Sequence, residues 1–291
     1  MGSKVAELAT RRGHEVFSGY AEHPPELGEG IKYDLTDAKS IARAVRTSKP
    51  DVVIHTAALT NVDRCEIDKD LAFRVNVLGA KALAEAAKVV GAFTLYTSTD
   101  YVFDGSKGLY KEEDPTNPVN YYGQSKLLGE AYCDSVARAC VIYGAKPASG
   151  KINFALWIIE SLSKGQSIKL VTDQYVTPTL NTNLAEMVLE VAERRLPGIY
   201  HLSGATRVSR YDYAVDLART FGLDENLITK SNTWEMKWAA RRPQDSSLDT
   251  SKAAAHLTAK PPSSRRSFKS LEIRVKLNAT WDHHKIPQTD C

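Results

Sequence analysis

Short β-branched or aromatic runs recur through the first half of this sequence, each set apart from the next by a stretch long enough for a helix. Asp51-Val52-Val53-Ile54, Ala92-Phe93-Thr94-Leu95-Tyr96 and Cys140-Val141-Ile142-Tyr143 are compact runs of the kind buried on both faces of a parallel sheet. His14-Glu15-Val16-Phe17 reads as an earlier, shorter strand, and Gly28-Glu29-Gly30 as a loop. Between the runs the apolar positions change to a helical period. Val5, Leu8 and Ala9 precede a stop at Gly13, and Ile41 and Val45 follow a cap at Asp37. A longer helix is predicted from about Ile67 to Val90, ended by Gly91, and another from Tyr122 to Ala137 with Leu128 and Tyr132 on one face. Strand alternating with helix in this way predicts an α/β fold, a doubly wound parallel sheet with helices on both sides.

After Gly144 the rhythm loosens. Helices are predicted near 152–163, 181–194 and 210–221, with short strands at Ser167-Ile168-Lys169-Leu170 and Ile199-Tyr200-His201-Leu202. Residues 1–144 therefore read as the main unit, and 145–258 as a smaller lobe partly interwoven with its sheet. Residues 259–291 form a tail of different character. There Pro261 to Arg266 looks like a linker, and Leu271, Ile273, Val275 and Leu277 alternate with charged residues as in an edge strand. A net charge of +3 over 291 residues gives no basis for a nucleic-acid partner. No apolar run approaches the ~20 residues of a membrane span. Cys65, Cys133, Cys140 and Cys291 form no metal-type spacing, so free thiols in a reducing cytoplasm are expected.

The chemistry concentrates in two places. Tyr122 and Lys126 are four apart at the start of a helix, so both side chains share one face. A phenol with a pKa of ~10 is a poor proton donor and acceptor at neutral pH, and a cation beside it makes the exchange easier. By itself this pair is a common helical accident. The second place is Leu95 to Gly105, where a buried strand runs into the hydroxyls of Thr97, Ser98 and Thr99. That puts Thr99 at the C-terminal edge of a parallel sheet, where ligands of such folds bind. The bland reading, hydroxyls that only satisfy a turn, gives way when both elements stand together.

Ser98-Thr99-Asp100-Tyr101-Val102-Phe103-Asp104-Gly105, followed by Asn120 to Glu130 (Asn-x-Tyr-Gly-x-Ser-Lys-x-x-Gly-Glu), resembles the signature of the dTDP-4-dehydrorhamnose reductases. These are extended short-chain dehydrogenase/reductases, and their relative, the regulatory beta subunit of methionine adenosyltransferase, shares the string. His55 to Glu66, Asp173 to Thr179, and Arg242-Pro243 with Ser247 to Lys252 resemble further family segments, so the likeness spans about residues 2 to 258. It implies a Rossmann-like fold and NAD(P)H-dependent reduction of the C4 ketone of dTDP-4-dehydro-L-rhamnose, in nucleotide-sugar and cell-surface polysaccharide synthesis. Thr99, Tyr122 and Lys126 would be the catalytic trio. Gly2, Asp34, Leu35, Ala57, Ala58, Thr60 and Asn76, with Tyr122 and Lys126, would hold the cofactor. Thr99, Tyr101 and Arg242 would meet the sugar nucleotide, and no metal is implied. Asp34 also reads as a turn residue, Asn76 as a satisfied helix polar group and Arg242 as a surface ion pair.

The pattern departs from the family at the start. The family opens with a strand and a G-x-x-G-x-x-G turn, of which Gly2 matches only the last glycine. A first strand and glycine-rich turn are therefore expected to be missing, and a start site placed too late is the preferred account. Ser18-Gly19-Tyr20 supplies neither an acid for a ribose 2′-hydroxyl nor an arginine for a 2′-phosphate, which leans mildly toward NADPH over NADH. Family members dimerise often enough for a homodimer to be expected. Two other roles stay open: a non-catalytic, cofactor-binding partner of methionine adenosyltransferase, and another nucleotide-sugar epimerase or dehydratase, for which Asp100 beside Thr99 is the relevant acid.

Overall fold

In the computed structural model, residues 1–146 and 152–283 are described. The elements run α1 (Gly2–Arg11), β1 (Phe17–Tyr20), β2 (Glu29–Lys32), α2 (Ala38–Ser48), β3 (Val52–His55), α3 (Val62–Ile67), α4 (Lys69–Phe73), a π-helical turn at Arg74–Leu78, α5 (Gly79–Val89) and β4 (Phe93–Thr99). They continue with α6 (Tyr121–Glu130), β5 (Ser135–Ala139), β6 (Ile142–Tyr143), α7 (Phe154–Ser163), β7 (Ile168–Val171), β8 (Tyr175–Val176), β9 (Thr179–Leu180) and α8 (Asn181–Glu193). The described elements close with β10 (Gly198–His201), β11 (Val208–Ser209), α9 (Arg210–Phe221), β12 (Ile228–Ser231), α10 (Ser251–His256) and α11 (Ser264–His283).

The expected parallel α/β sheet is present. Its order is β10-β5-β4-β3, every pair parallel, with Ile54 opposite Leu95 and Thr99 opposite Ala139. Alternation along β3 explains why helices cover both faces. Val52 and Ile54 pack with Leu184, Val188 and Ala192 of α8 and with Val5 and Ala9 of α1. Val53, between them, faces Ile41 and Val45 of α2 and Leu83 of α5. β1 and β2 form a separate parallel pair, and β10 brings a segment of the later half into the main sheet beside β5.

Several elements differ from the sequence reading. The first strand begins at Phe17, after His14 to Val16, and the expected loop at Gly28-Glu29-Gly30 contains the start of its partner β2. The long helix over 67–90 is interrupted. Asp68 caps α4 by accepting from the Leu71 amide at 3.1 Å, and the π-helical turn follows. The helix from Tyr122 ends at Glu130, not Ala137, and Ser135–Ala139 is instead the fully buried strand β5. Two long-range partners make that strand. The Asp134 carboxylate accepts from Thr94 N (2.8 Å) and Thr94 Oγ1 (2.7 Å), and Arg138 is buried against Glu130 at 2.7 Å. The expected strand at Cys140–Tyr143 shrinks to Ile142–Tyr143.

The tail is the clearest correction. Residues Leu271 to Val275 are not an edge strand but part of α11, and Ser264 to Arg266 belong to its first turn instead of a linker. Ser264, Ser267, Phe268 and Leu271 recur at helical spacing and are buried. Phe268 meets Tyr213 edge-on with ring centroids 5.0 Å apart, in a cluster with α7 and α9. Cys291 lies outside the described residues.

Candidate active site

The site grows from two junctions at the C-terminal edge of the sheet. At the first, β4 ends in Thr99, whose Oγ1 accepts from Tyr101 N at 3.2 Å and caps a short 3-10 turn. At the second, Asn120 caps α6 by accepting from Gly123 N at 2.9 Å, while its amide donates to Arg241 O at 2.9 Å. Glu66 of α3 accepts from Tyr121 N at 2.8 Å. The two junctions touch through Gly123, where any Cβ would run into the carbonyl oxygen of Tyr101. Tyr101 and Tyr122 then meet edge to face, with centroids 5.9 Å apart.

Thr99, Tyr122 and Lys126 are thereby brought into one neighbourhood. Burial pushes the Tyr122 phenol well above its ordinary pKa; a hydrogen bond with Thr99 works against this, and the charge of Asp100 adds to it. Lys126 is 3% exposed, and burial lowers its pKa to about 7 against the opposing pull of Glu130. Its ammonium lies over the Tyr96 ring, 3.9 Å from the centroid. Glu130 itself is engaged by Arg138 and by Ser98 Oγ at 2.5 Å. Below them His55, buried at the end of β3, is held neutral by desolvation and by Lys126, with its pKa lowered to about 3. Its Nε2 has no hydrogen-bond partner among the described residues.

Of the residues expected to bind the cofactor, Gly2, Ala57, Ala58, Thr60 and Asn76 gather around the loop after β3, and Asp34 and Leu35 follow β2 in the separate β1–β2 pair. Gly2 opens α1 against the loop after β3, where an added Cβ would sit 2.8 Å from Thr56 Oγ1. Ala57, Ala58 and Thr60 continue that loop, Ala57 and Thr60 exposed and Ala58 half-buried. Asn76 is buried in the π-helical turn and holds the loop in place. Its Oδ1 accepts from Leu59 N at 2.9 Å, and its Nδ2 donates to Leu59 O at 3.1 Å and Ser125 Oγ at 3.0 Å. With its amide committed in this way, Asn76 supports the wall from behind. Asp34 and Leu35 follow β2, and the Asp34 carboxylate accepts from Thr36 N and Thr36 Oγ1, each at 2.8 Å. Arg242 pairs with Asp63 at 3.0 Å, donates to Ala240 O at 2.7 Å and stacks near Trp238. It ties the 240–242 segment to the start of α3.

Sequence reasoning missed the partners of Asp100. This buried carboxyl accepts from Thr99 Oγ1 at 3.1 Å, Ser246 Oγ at 2.5 Å and Cys140 Sγ at 3.1 Å. Cys140 and Ser246 lie 40 and 146 residues away, so no spacing could have signalled them.

A small-residue loop and a helix N-terminus at a sheet edge can accept a dinucleotide phosphate. With a hydroxyl, a phenol and a lysine beside them, they define the class of short-chain dehydrogenase/reductases. Comparison with known proteins narrows this. The family model described as "RmlD substrate binding domain" matches residues 1–275. A "probable low-salt glycan biosynthesis reductase Agl14" of Haloferax volcanii is 31% identical over 94% of this chain and 94% of its own length. "Methionine adenosyltransferase 2 subunit beta" of Xenopus tropicalis is 32% identical over 84% of this chain and 76% of its own. The crystal structure of dTDP-4-dehydrorhamnose reductase from Bacillus anthracis in complex with NADP superposes with a TM-score of 0.80. It is 27% identical, covering 94% of this chain and 96% of that one. The chain belongs to the dTDP-4-dehydrorhamnose reductase family of NAD(P)-dependent oxidoreductases. No helix among the described residues is long and apolar enough to cross a membrane.

Proposed function

We propose that this chain reduces the C4 ketone of dTDP-4-dehydro-L-rhamnose to the alcohol of dTDP-L-rhamnose. The supporting observation is the convergence of Thr99, at the end of β4, with Tyr122 and Lys126, one turn apart on α6, at the junction where Gly123 abuts Tyr101. Bound NAD(P)H supplies the hydride. Tyr122 gives its proton to the ketone oxygen, Thr99 orients that oxygen, and the Lys126 ammonium offsets the phenolate left behind. Gly2, Ala57, Ala58 and Thr60 form the cofactor wall, backed by Asn76. NADPH is the preferred form, because Ser18-Gly19-Tyr20 of β1 carries no acid and the Asp34 carboxylate is engaged by Thr36. Tyr101 and Arg242 bound the sugar-nucleotide side, in line with their places beside Tyr122 and above α3.

The division into a cofactor unit (1–144), a substrate lobe (145–258) and a tail belongs to the same reading, as does the reducing cytoplasm suggested by the thiols of Cys65, Cys133 and Cys140. A homodimer belongs to the same reading. Replacing Tyr122 by Phe is the test. Turnover of the keto sugar should fall by about 10²–10⁴-fold while NADPH binding persists; unchanged turnover refutes the assignment. The likeness to the methionine adenosyltransferase subunit supports a second reading. A wild-type chain that reduces no 4-keto nucleotide sugar, yet alters the kinetics of that enzyme, would establish it.

A further inference from the structure

A hydroxyl has one proton to give, and the surroundings of Thr99 determine where it goes. Its oxygen already accepts from Tyr101 N at 3.2 Å, and its proton points to Asp100 Oδ1 at 3.1 Å. An ionised carboxylate can only accept. While Asp100 is ionised, Thr99 therefore has nothing left to donate to a ketone. A protonated Asp100 reverses this order: its O–H donates to Thr99, and Thr99 turns its own proton outward. The other oxygen, Oδ2, accepts from Ser246 and Cys140 in either case. No cation makes an ion pair with Asp100 among the described residues. The titratable and charged groups around it are Tyr101 on its own turn, Tyr122 on α6, Cys140 after β5 and Arg210 at the start of α9. Burial favours the protonated form, against the three hydrogen bonds and Arg210.

We propose that Asp100 is a positioning residue that sets the direction of the Thr99 hydroxyl: as a carboxylic acid it frees Thr99 to donate to the substrate ketone, and as a carboxylate it withdraws that proton. The proposal rests on the reductase reading and names the group that governs one of its catalytic hydroxyls. The proton on Asp100 is not consumed, since the proton transferred to product still comes from Tyr122. The acidic partner of Thr99 thus has a role in reduction without being the acid of a dehydration.

Two measurements test this separately. Carbon-13 NMR of the intact chain labelled at aspartate carboxyls titrates Asp100 directly, its signal being the one lost in Asp100→Asn. Thr99→Val removes the donor to Oδ1 and should raise the Asp100 pKa by half a unit or more; an unchanged pKa overturns the proposal. This reading needs no turnover, so a chain that reduced nothing would defeat the reductase assignment while the NMR still decided the role of Asp100. In the kinetic arm, kcat should fall about tenfold or more as pH rises through the pKa seen by NMR, with KM nearly constant. Asp100→Ala should lower kcat at low pH, and Asp100→Asn, whose amide donates permanently, should recover most of that loss and abolish the descending limb. A limb that persists in Asp100→Asn refutes the proposal and leaves the reductase reading intact.

Discussion

Replacing Lys126 by Met should stabilise the free protein in acid and neutral solution while removing its activity. Lys126 is 3% exposed, and its ammonium has been brought out of water to a site where its pKa is about 7 instead of 10.5. Every tenfold loss of proton affinity corresponds to about 1.4 kcal/mol, so the charged form is disfavoured by up to about 5 kcal/mol. The Tyr96 ring beneath the ammonium returns about 1–2 kcal/mol that methionine would forgo. A net gain of about 3 kcal/mol is expected from the substitution. Its sign with pH follows from proton counts. Between pH 7 and 10.5 the unfolded chain binds the extra proton and the folded one does not, so wild-type stability rises with pH across that window. The advantage of Lys126→Met is therefore full below pH 7 and should be gone by pH 10, where wild type has regained about 4 kcal/mol. Glu130 is not orphaned by the change, because Arg138 and Ser98 still hold it. Urea unfolding of both proteins at pH 6, 8 and 10 measures the gap. A gap that does not narrow with pH, or a variant less stable at pH 6, would refute the argument that a functional cation is held here at a cost in stability.

Other perturbations separate supporting residues from reacting ones. Asn76→Ala strips Leu59 N of its partner, leaves Leu59 O only the weak Cys65 thiol, and should cost about 1–3 kcal/mol in urea unfolding. It should also weaken NADPH binding in a fluorescence titration. Arg138→Met leaves Glu130 charged and buried and should cost about 3–5 kcal/mol, whereas Arg138→Met with Glu130→Gln should recover most of it. Equal losses in the single and double variants would contradict that pairing. Phe268→Ala removes a fully buried ring from the α7–α9–α11 cluster and should cost about 3–5 kcal/mol. A neutral result would mean that α11 does not pack there.

The sequence is readable wherever the determining interactions are local. β3 and β4 announce themselves because their apolar residues meet helices on both faces and need no special partner, and Thr99 falls at the strand end where the apolar run gives way to hydroxyls. Tyr122 and Lys126 follow from helical spacing and the Asn120 cap. The failures share a different cause. β5 is hidden because Arg138, a charge in its middle, is neutralised by Glu130 on the preceding helix, and because Asp134 finds Thr94 on the neighbouring strand. β2 is hidden by Glu29 and Gly30 on an exposed edge pair, and α11 by an alternation of charges that is also compatible with a helix once Phe268 and Leu271 have an aromatic cluster to fill. In each case a polar or charged residue contradicts the local pattern and is satisfied by a partner that only the fold supplies. The active site is made the same way. Its positions can be read from the sequence, but its proton states cannot, since they depend on Lys126 lying above Tyr96, on Glu130 being held by Arg138, and on Asp100 meeting Ser246. The long-range polar contacts that obscure the secondary structure therefore also tune the chemistry.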